Sequence, residues 1–171
     1  MIKIEKNANK SGVFFAVKNW LKENGFEIAS EDDARPWGGF FVISEEQIDK
    51  FRKTFFPEVS FSESQLSKKL SPKILMVAPK KRLSWQYHFR RAEIWKLVGG
   101  KGGIITSETD EEGPLEEMKT GEVVSLNQGQ RHRLVGLDDW GIVAEIWMHT
   151  DPTQPSNEDD IVRVQDDFQR N

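Results

Sequence analysis

Residues 82–95 read Arg-Leu-Ser-Trp-Gln-Tyr-His-Phe-Arg-Arg-Ala-Glu-Ile-Trp, and this stretch decides the fold. Gln86 and His88 are two apart, so on a strand both side chains leave the same face. Glu93 and Trp95 share a face of the next strand, after a short turn. A later stretch, Gly129-Gln-Arg-His132-Arg133, supplies a second histidine. A closed β-barrel would carry His132 to the first group. Gln86, His88, Glu93 and His132 would then make a four-ligand site for one divalent ion. Two imidazoles, a carboxylate and an amide oxygen form a mixed nitrogen–oxygen set. Zinc suits it best, and manganese, cobalt, nickel and iron(II) also fit. A lone histidine is more often a satisfied core residue; four such groups at this spacing favour metal.

Outward from this stretch the chain divides in two. From residue 74 on, short β-rich runs cover 74–78, 83–88, 94–98, 103–106, 123–126, 132–135 and 142–148. Gly, Asn, Asp and Pro punctuate them at roughly ten-residue spacing, which predicts an antiparallel sandwich or barrel. A ligand site belongs in the barrel interior. Residues 151–158 read as a loop, and 159–171 as a segment packing back on the body. Before residue 74 the period is helical. Val13, Phe14, Val17, Trp20 and Leu21 fall on one face, with Gly25 to end the helix. Ser44 and Gln47 have capping-box spacing ahead of Ile48, Phe51 and Phe55, and Pro57 stops that helix. A third short helix is expected at 65–70. The expected organisation is one structural domain: a helical extension, 1–73, that includes Arg35-Pro36-Trp37-Gly38 as an entry strand, packed on a barrel and C-terminal segment, 74–171.

Bulk properties narrow the function. At 171 residues the chain can bury one real core. Net charge is -4, and no basic stretch is long enough for a nucleic-acid arm. Lys80-Lys81-Arg82 reads as a solvated turn. The absence of cysteine excludes disulfides and thiolate metal sites. No signal peptide and no apolar run of membrane-spanning length are evident, so a cytoplasmic location without membrane partners is the default.

The spacing also resembles the two motifs of the cupin superfamily. Glu93 is followed, after six intervening residues, by Gly100. Gly121 is followed by five residues, then Asn127 where those proteins have proline, then Gly129 and His132. More narrowly, Leu83, Ser84, Gln86, His88, Arg91, Glu93 and Trp95 are similar to the metal motif of type II mannose-6-phosphate isomerases. Arg35-Pro36-Trp37-Gly38 resembles that family's leading motif. The run from Glu158 to Arg170 looks like its closing motif. Departures are Ile94 and Arg90 where the family has or often has histidine, Lys80 and Gln169 where it has glycine, and Trp147 where it has glutamine. The nucleotidyltransferase domain of larger members has no counterpart here, since the chain has no Gly-rich nucleotide signature.

The resemblance implies a mainly β cupin that isomerises an aldose and a ketose, with mannose-6-phosphate and fructose-6-phosphate the first pair to try. It implies phosphate binding by Arg35, Arg163 and Arg170, whose guanidinium forks match phosphate oxygens. Arg91 and Glu145 are the candidate catalytic residues. Lys96 and His149 are weaker candidates for the base, His149 reading better as a surface or capping residue. Rival readings are an isomerase or epimerase of a heptose phosphate or free pentose, a non-catalytic sugar-binding or regulatory cupin, and a metal-dependent dioxygenase, against which Gln86 weighs. A homodimer is the family's expectation.

Overall fold

The structure is a computed structural model and describes residues 1–170. Among the described residues, nine antiparallel strands form one sheet: β1 Ile28–Asp32, β2 Gly38–Ile43, β3 Lys73–Val77, β4 Trp85–Tyr87, β5 Arg91–Ser107, β6 Leu115–Glu117, β7 Val123–Leu126, β8 Arg131–His149 and β9 Val162–Gln165. Three α-helices, α1 Lys10–Glu23, α2 Ile48–Phe55 and α3 Glu63–Leu66, precede β3. Among the described residues no helix is long and apolar enough to cross a membrane.

The sheet is organised by β5 and β8, which run antiparallel from Arg91↔His149 to Ser107↔Arg131. Each was expected as two strands, because the glycines inside them read as turns. They act as bends instead. Two register shifts interrupt the pairing, between Leu97 and Gly99 and between Gly100 and Gly102. At the first, Val98 is an extra residue of β5, a bulge that bends the strand without ending it; at the second, residues 137–140 of β8 stand against Lys101 alone. Gly100 has φ +62, and a Cβ there would stand 1.8 Å from the Trp140 carbonyl oxygen, so the bend requires glycine. Gly121 and Gly129 also take positive φ, as turns between barrel strands demand.

Beyond the bend, each half of β8 has a different second neighbour. Residues 141–145 pair with β3, and His132 pairs with Gln86 of β4. Alternation then sorts the side chains. Leu75, Val77, Trp95, Leu97, Ile104, Leu134 and Val143 form an inner cluster drawn from both halves. Ile74, Met76, Ile94, Val98, Ile142, Ala144 and Ile146 face the opposite way, into a second cluster under α1 and α2. The helices contribute Val13, Val17, Leu21, Phe51 and Phe55 to it.

Several local expectations are corrected. Asn9 caps α1, accepting from Gly12 N at 2.8 Å, and Gly25 with φ +71 follows its end as expected. Ser44 makes no side-chain cap. Gln47 turns away, accepting from Glu27 N and donating to Gly25 O, so a 3-10 turn, Glu45–Gln47, leads into α2 instead. α3 starts earlier than expected, at Glu63, because Ser62 caps it on Gln65 N. Residues 28–32 form an unexpected strand, and Arg35–Trp37 are not a strand but lead by a turn into β2, which begins at Gly38 and pairs with β3. The C-terminal segment does pack back: β9 pairs with β4.

Candidate metal centre

Glu93 sits on the inner face of β5, opposite Trp147 of β8. His88 lies just past β4, and His132 lies on β8 opposite Gln86. The wrapped sheet thus brings the four expected residues into one region. His88, Glu93 and His132 are 2%, 2% and 1% exposed. One ligand atom from each lies within 4.8 Å of the others. Glu93 Oε1 is 3.1 Å from His88 Nε2, and Glu93 Oε2 is 3.5 Å from His132 Nε2.

Both imidazoles are held by their far nitrogens. His88 Nδ1 lies 2.6 Å from the Asp160 carbonyl oxygen, and His132 Nδ1 lies 3.0 Å from that of Gln130. A carbonyl accepts only from N–H, so each Nδ1 carries the proton and each Nε2 turns inward. Gln86 Oε1 accepts from the Ser84 hydroxyl at 2.6 Å, which fixes the amide. Glu93 Oε2 and His132 Nε2 are buried without a hydrogen-bond partner among the described residues. Leaving such groups unmet is costly, and a divalent cation between them would satisfy both. The residues present therefore fit a metal ion. Burial alone would raise the Glu93 carboxyl. In the ion-free site His88 and His132, when a second proton on Nε2 makes them cationic, and the Arg91 guanidinium outweigh it and hold the group well below the usual range.

Arg91 is 5% exposed and donates to Glu93 Oε1 at 2.9 Å, to Ser156 Oγ at 2.9 Å and to the Asn157 carbonyl at 3.0 Å. Its guanidinium stacks 4.0 Å over the Trp147 ring. Asp160 is a residue that the sequence reading passed over. Its carboxylate accepts from Phe89 N, Arg90 N and Ser156 Oγ while its carbonyl orients His88. The signal was present as the acidic run of the closing motif.

A cavity of about 370 Å³ opens onto this seat. Glu93 and Gln86 line it, and so do Arg91, Glu145 and all three expected arginines, Arg35, Arg163 and Arg170. Arg170 forks onto Asp166 at 2.7 and 2.9 Å, and Arg35 pairs with Asp32 at 2.8 Å. Burial, then the charges of Arg170 and Arg35, lower the pKa of Arg163, so cations crowd this end. Glu145 is 6% exposed and accepts from Trp95 Nε1 at 2.9 Å. Burial, then the charge of Glu93, push it up to about 7.

Two weaker candidates lie elsewhere. Lys96 faces away from the cavity and pairs with Glu58 over the Phe56 ring. His149 is buried, not on the surface. Its Nδ1 accepts from Ser156 N at 2.9 Å and its Nε2 donates to the Lys69 carbonyl at 2.6 Å, so neither nitrogen is available as a base.

A comparison with curated proteins returns no match. Among solved structures the chain is similar to the capsular polysaccharide assembling protein CapF from Staphylococcus aureus, with a TM-score of 0.51 and 17% identity, over 78% of this chain and 33% of that one. It is also similar to vicilin from Solanum lycopersicum (tomato), with a TM-score of 0.50 and 17% identity, over 77% of this chain and 32% of that one. The chain spans about a third of the length of each, and such likeness speaks to the cupin fold alone. The family Mannose-6-phosphate isomerase C-terminal matches residues 44–166, which include Gln86, His88, Glu93, His132 and Glu145. Matched over most of its length, the chain belongs to this family and is a cupin.

Proposed function

We propose that the protein is a metal-dependent aldose–ketose isomerase of a phosphorylated sugar, with mannose-6-phosphate and fructose-6-phosphate as the pair. The observation that carries the reading is that one cavity is lined at once by Glu93, Glu145 and three arginines. That combination supplies a metal seat, an acid–base group and an anion site in a space suited to a small molecule.

Arg35, Arg163 and Arg170 bind the phosphate and thereby fix the reacting carbons. Gln86, His88, Glu93 and His132 hold the divalent ion, zinc first among those to try. When bound, that ion supplies positive charge to the sugar oxygens as negative charge develops on them. Glu145 removes the proton from C2 of the aldose and returns it to C1, while the hydroxyl proton passes from O2 to O1. Burial raises this carboxyl above the ordinary range, which suits both halves of the transfer. Arg91 touches the chemistry through Glu93, which it holds.

The test is a coupled isomerase assay on mannose-6-phosphate before chelation, after chelation and with metal restored. Turnover that vanishes and returns supports the reading. No turnover with any sugar phosphate refutes it. Gln86→Ala and His132→Ala should each lower metal occupancy by elemental analysis; full occupancy in both would overturn the ligand set.

A further inference from the structure

Lys73 is a buried lysine that the proposed chemistry leaves unused. It begins β3 directly opposite Glu145 of β8, and Trp95 of β5 is opposite Glu145 on the other side. All three side chains therefore leave one face of the sheet. Lys73 is 9% exposed and lines the cavity. Its Nζ is 4.0 Å from Glu145 Oε1, while Trp95 Nε1 donates to Glu145 Oε2 at 2.9 Å. Each carboxylate oxygen thus has a partner on a different neighbouring strand. Lys73 is itself held, 4.7 Å over the Trp147 ring and 3.5 Å from Glu158 Oε1.

We propose that Lys73 is the positioning residue for Glu145, fixing its carboxylate toward the sugar from the strand opposite Trp95. This rests on the isomerase reading for its catalytic consequence, though not for the contact. A carboxylate that must meet two adjacent carbons gains from having both oxygens fixed in advance. The charge of Lys73 also opposes the burial that drives Glu145 toward its neutral form. Arg91 and Glu93 of β5 are the other charged groups acting on Glu145, and Lys73 is the cation facing it from β3.

The test uses the full chain, metal-loaded, with Lys73→Met and Lys73→Arg. Lys73→Met should lower kcat for mannose-6-phosphate by about tenfold or more, the worth of one charge-assisted contact, with KM nearly unchanged. Lys73→Arg should recover most of the loss. Should Lys73→Met not fold, Lys73→Gln gives the same readout with a polar stem. A loss confined to KM, or unchanged kcat, overturns the proposal. Hydrogen exchange of the Trp95 indole N–H, measured without substrate, separates this failure from that of the isomerase reading. Freeing Glu145 should speed that exchange by about tenfold, the equivalent of one ordinary hydrogen bond. Unchanged exchange refutes the positioning role even where wild type turns over no sugar.

Discussion

Replacing Arg91 with methionine tests whether an ion sits on Glu93, because its cost should depend on the ion. Arg91 and Glu93 are 5% and 2% exposed and 2.9 Å apart. Removing one member of a buried pair leaves an uncompensated charge and costs about 3–5 kcal/mol. For a domain of this size each kcal/mol moves Tm by about 2–4 °C, so the metal-free variant should melt roughly 6–20 °C lower. With a divalent ion on Glu93 the carboxylate keeps a counter-charge. What remains is the loss of the bonds to Ser156 and Asn157, about 1 kcal/mol each, or roughly 4–8 °C in all. Zinc should therefore stabilise the variant more than the wild type. The measurement is four melting curves by scanning calorimetry, wild type and Arg91→Met, each with zinc and with chelator. Equal losses with and without zinc would mean that the ion does not bind at Glu93.

Glu145 gives a pH signature. Its carboxyl stands at about 7 in the folded protein against an ordinary 4.5, first because it is buried and then because Glu93 is near. The folded state therefore keeps a proton that the unfolded chain releases, and stability falls as pH rises from about 4.5 to 7. In the metal-free protein, Glu145→Gln should gain roughly 3 kcal/mol on wild type between pH 4.5 and 8 in urea titrations, and a flat difference would contradict this. Arg163→Ala should raise the Kd for inorganic phosphate about tenfold or more by calorimetry, and unchanged affinity would remove the anion site. Lys80 has φ +59, a conformation costing a side-chain-bearing residue about 1–2 kcal/mol. Lys80→Gly should raise stability to chemical denaturation by about 0.5–1 kcal/mol after the added flexibility of the unfolded chain, and any loss would refute the strain.

The site was more legible in the sequence than the strands that build it. Gln86, His88, Glu93 and His132 carry their chemistry in their residue types, and the two-residue alternation puts Glu93 and Trp95 on one face in any strand register. Strand ends carry no such mark. Gly99-Gly100 and Gly136 read as turns because glycine permits both a turn and a bend, and only pairing between β5 and β8 chooses between them. Residues 28–32, Ile-Ala-Ser-Glu-Asp, are mostly exposed and polar, with little apolar alternation to announce a strand. Asp160 and Lys73 escaped notice for another reason. Each meets a partner distant in sequence, His88 for one and Glu145 for the other, so Lys73 forms no local pattern and the closing motif that contains Asp160 does not show its role. Lys80 and Gln169 are the reverse case. They stand where the related motif has glycine, and both adopt positive φ, so the backbone kept the turn while the residue changed.

The three remaining departures bear unequally on the substrate. Ile94 points into the apolar cluster under the helices, on the far side of β5 from Glu93, so a histidine there would not reach the ion. Arg90 donates to the Pro155 carbonyl and to Asn157 Oδ1, and its backbone N–H meets Asp160, so it fastens the loop whose carbonyl orients His88. Trp147 alone touches the cavity's charges. Its ring seats Arg91 at 4.0 Å and Lys73 at 4.7 Å, and those two cations serve Glu93 and Glu145 respectively. A glutamine amide offers no such face, since attraction to a cation over a ring comes from the π-electrons. The indole thus ties the group that holds Glu93 to the group that holds Glu145. If the cavity takes a sugar as proposed, a difference in preference from relatives with glutamine would act through where Arg91 and Lys73 stand rather than through His88, Glu93 and His132.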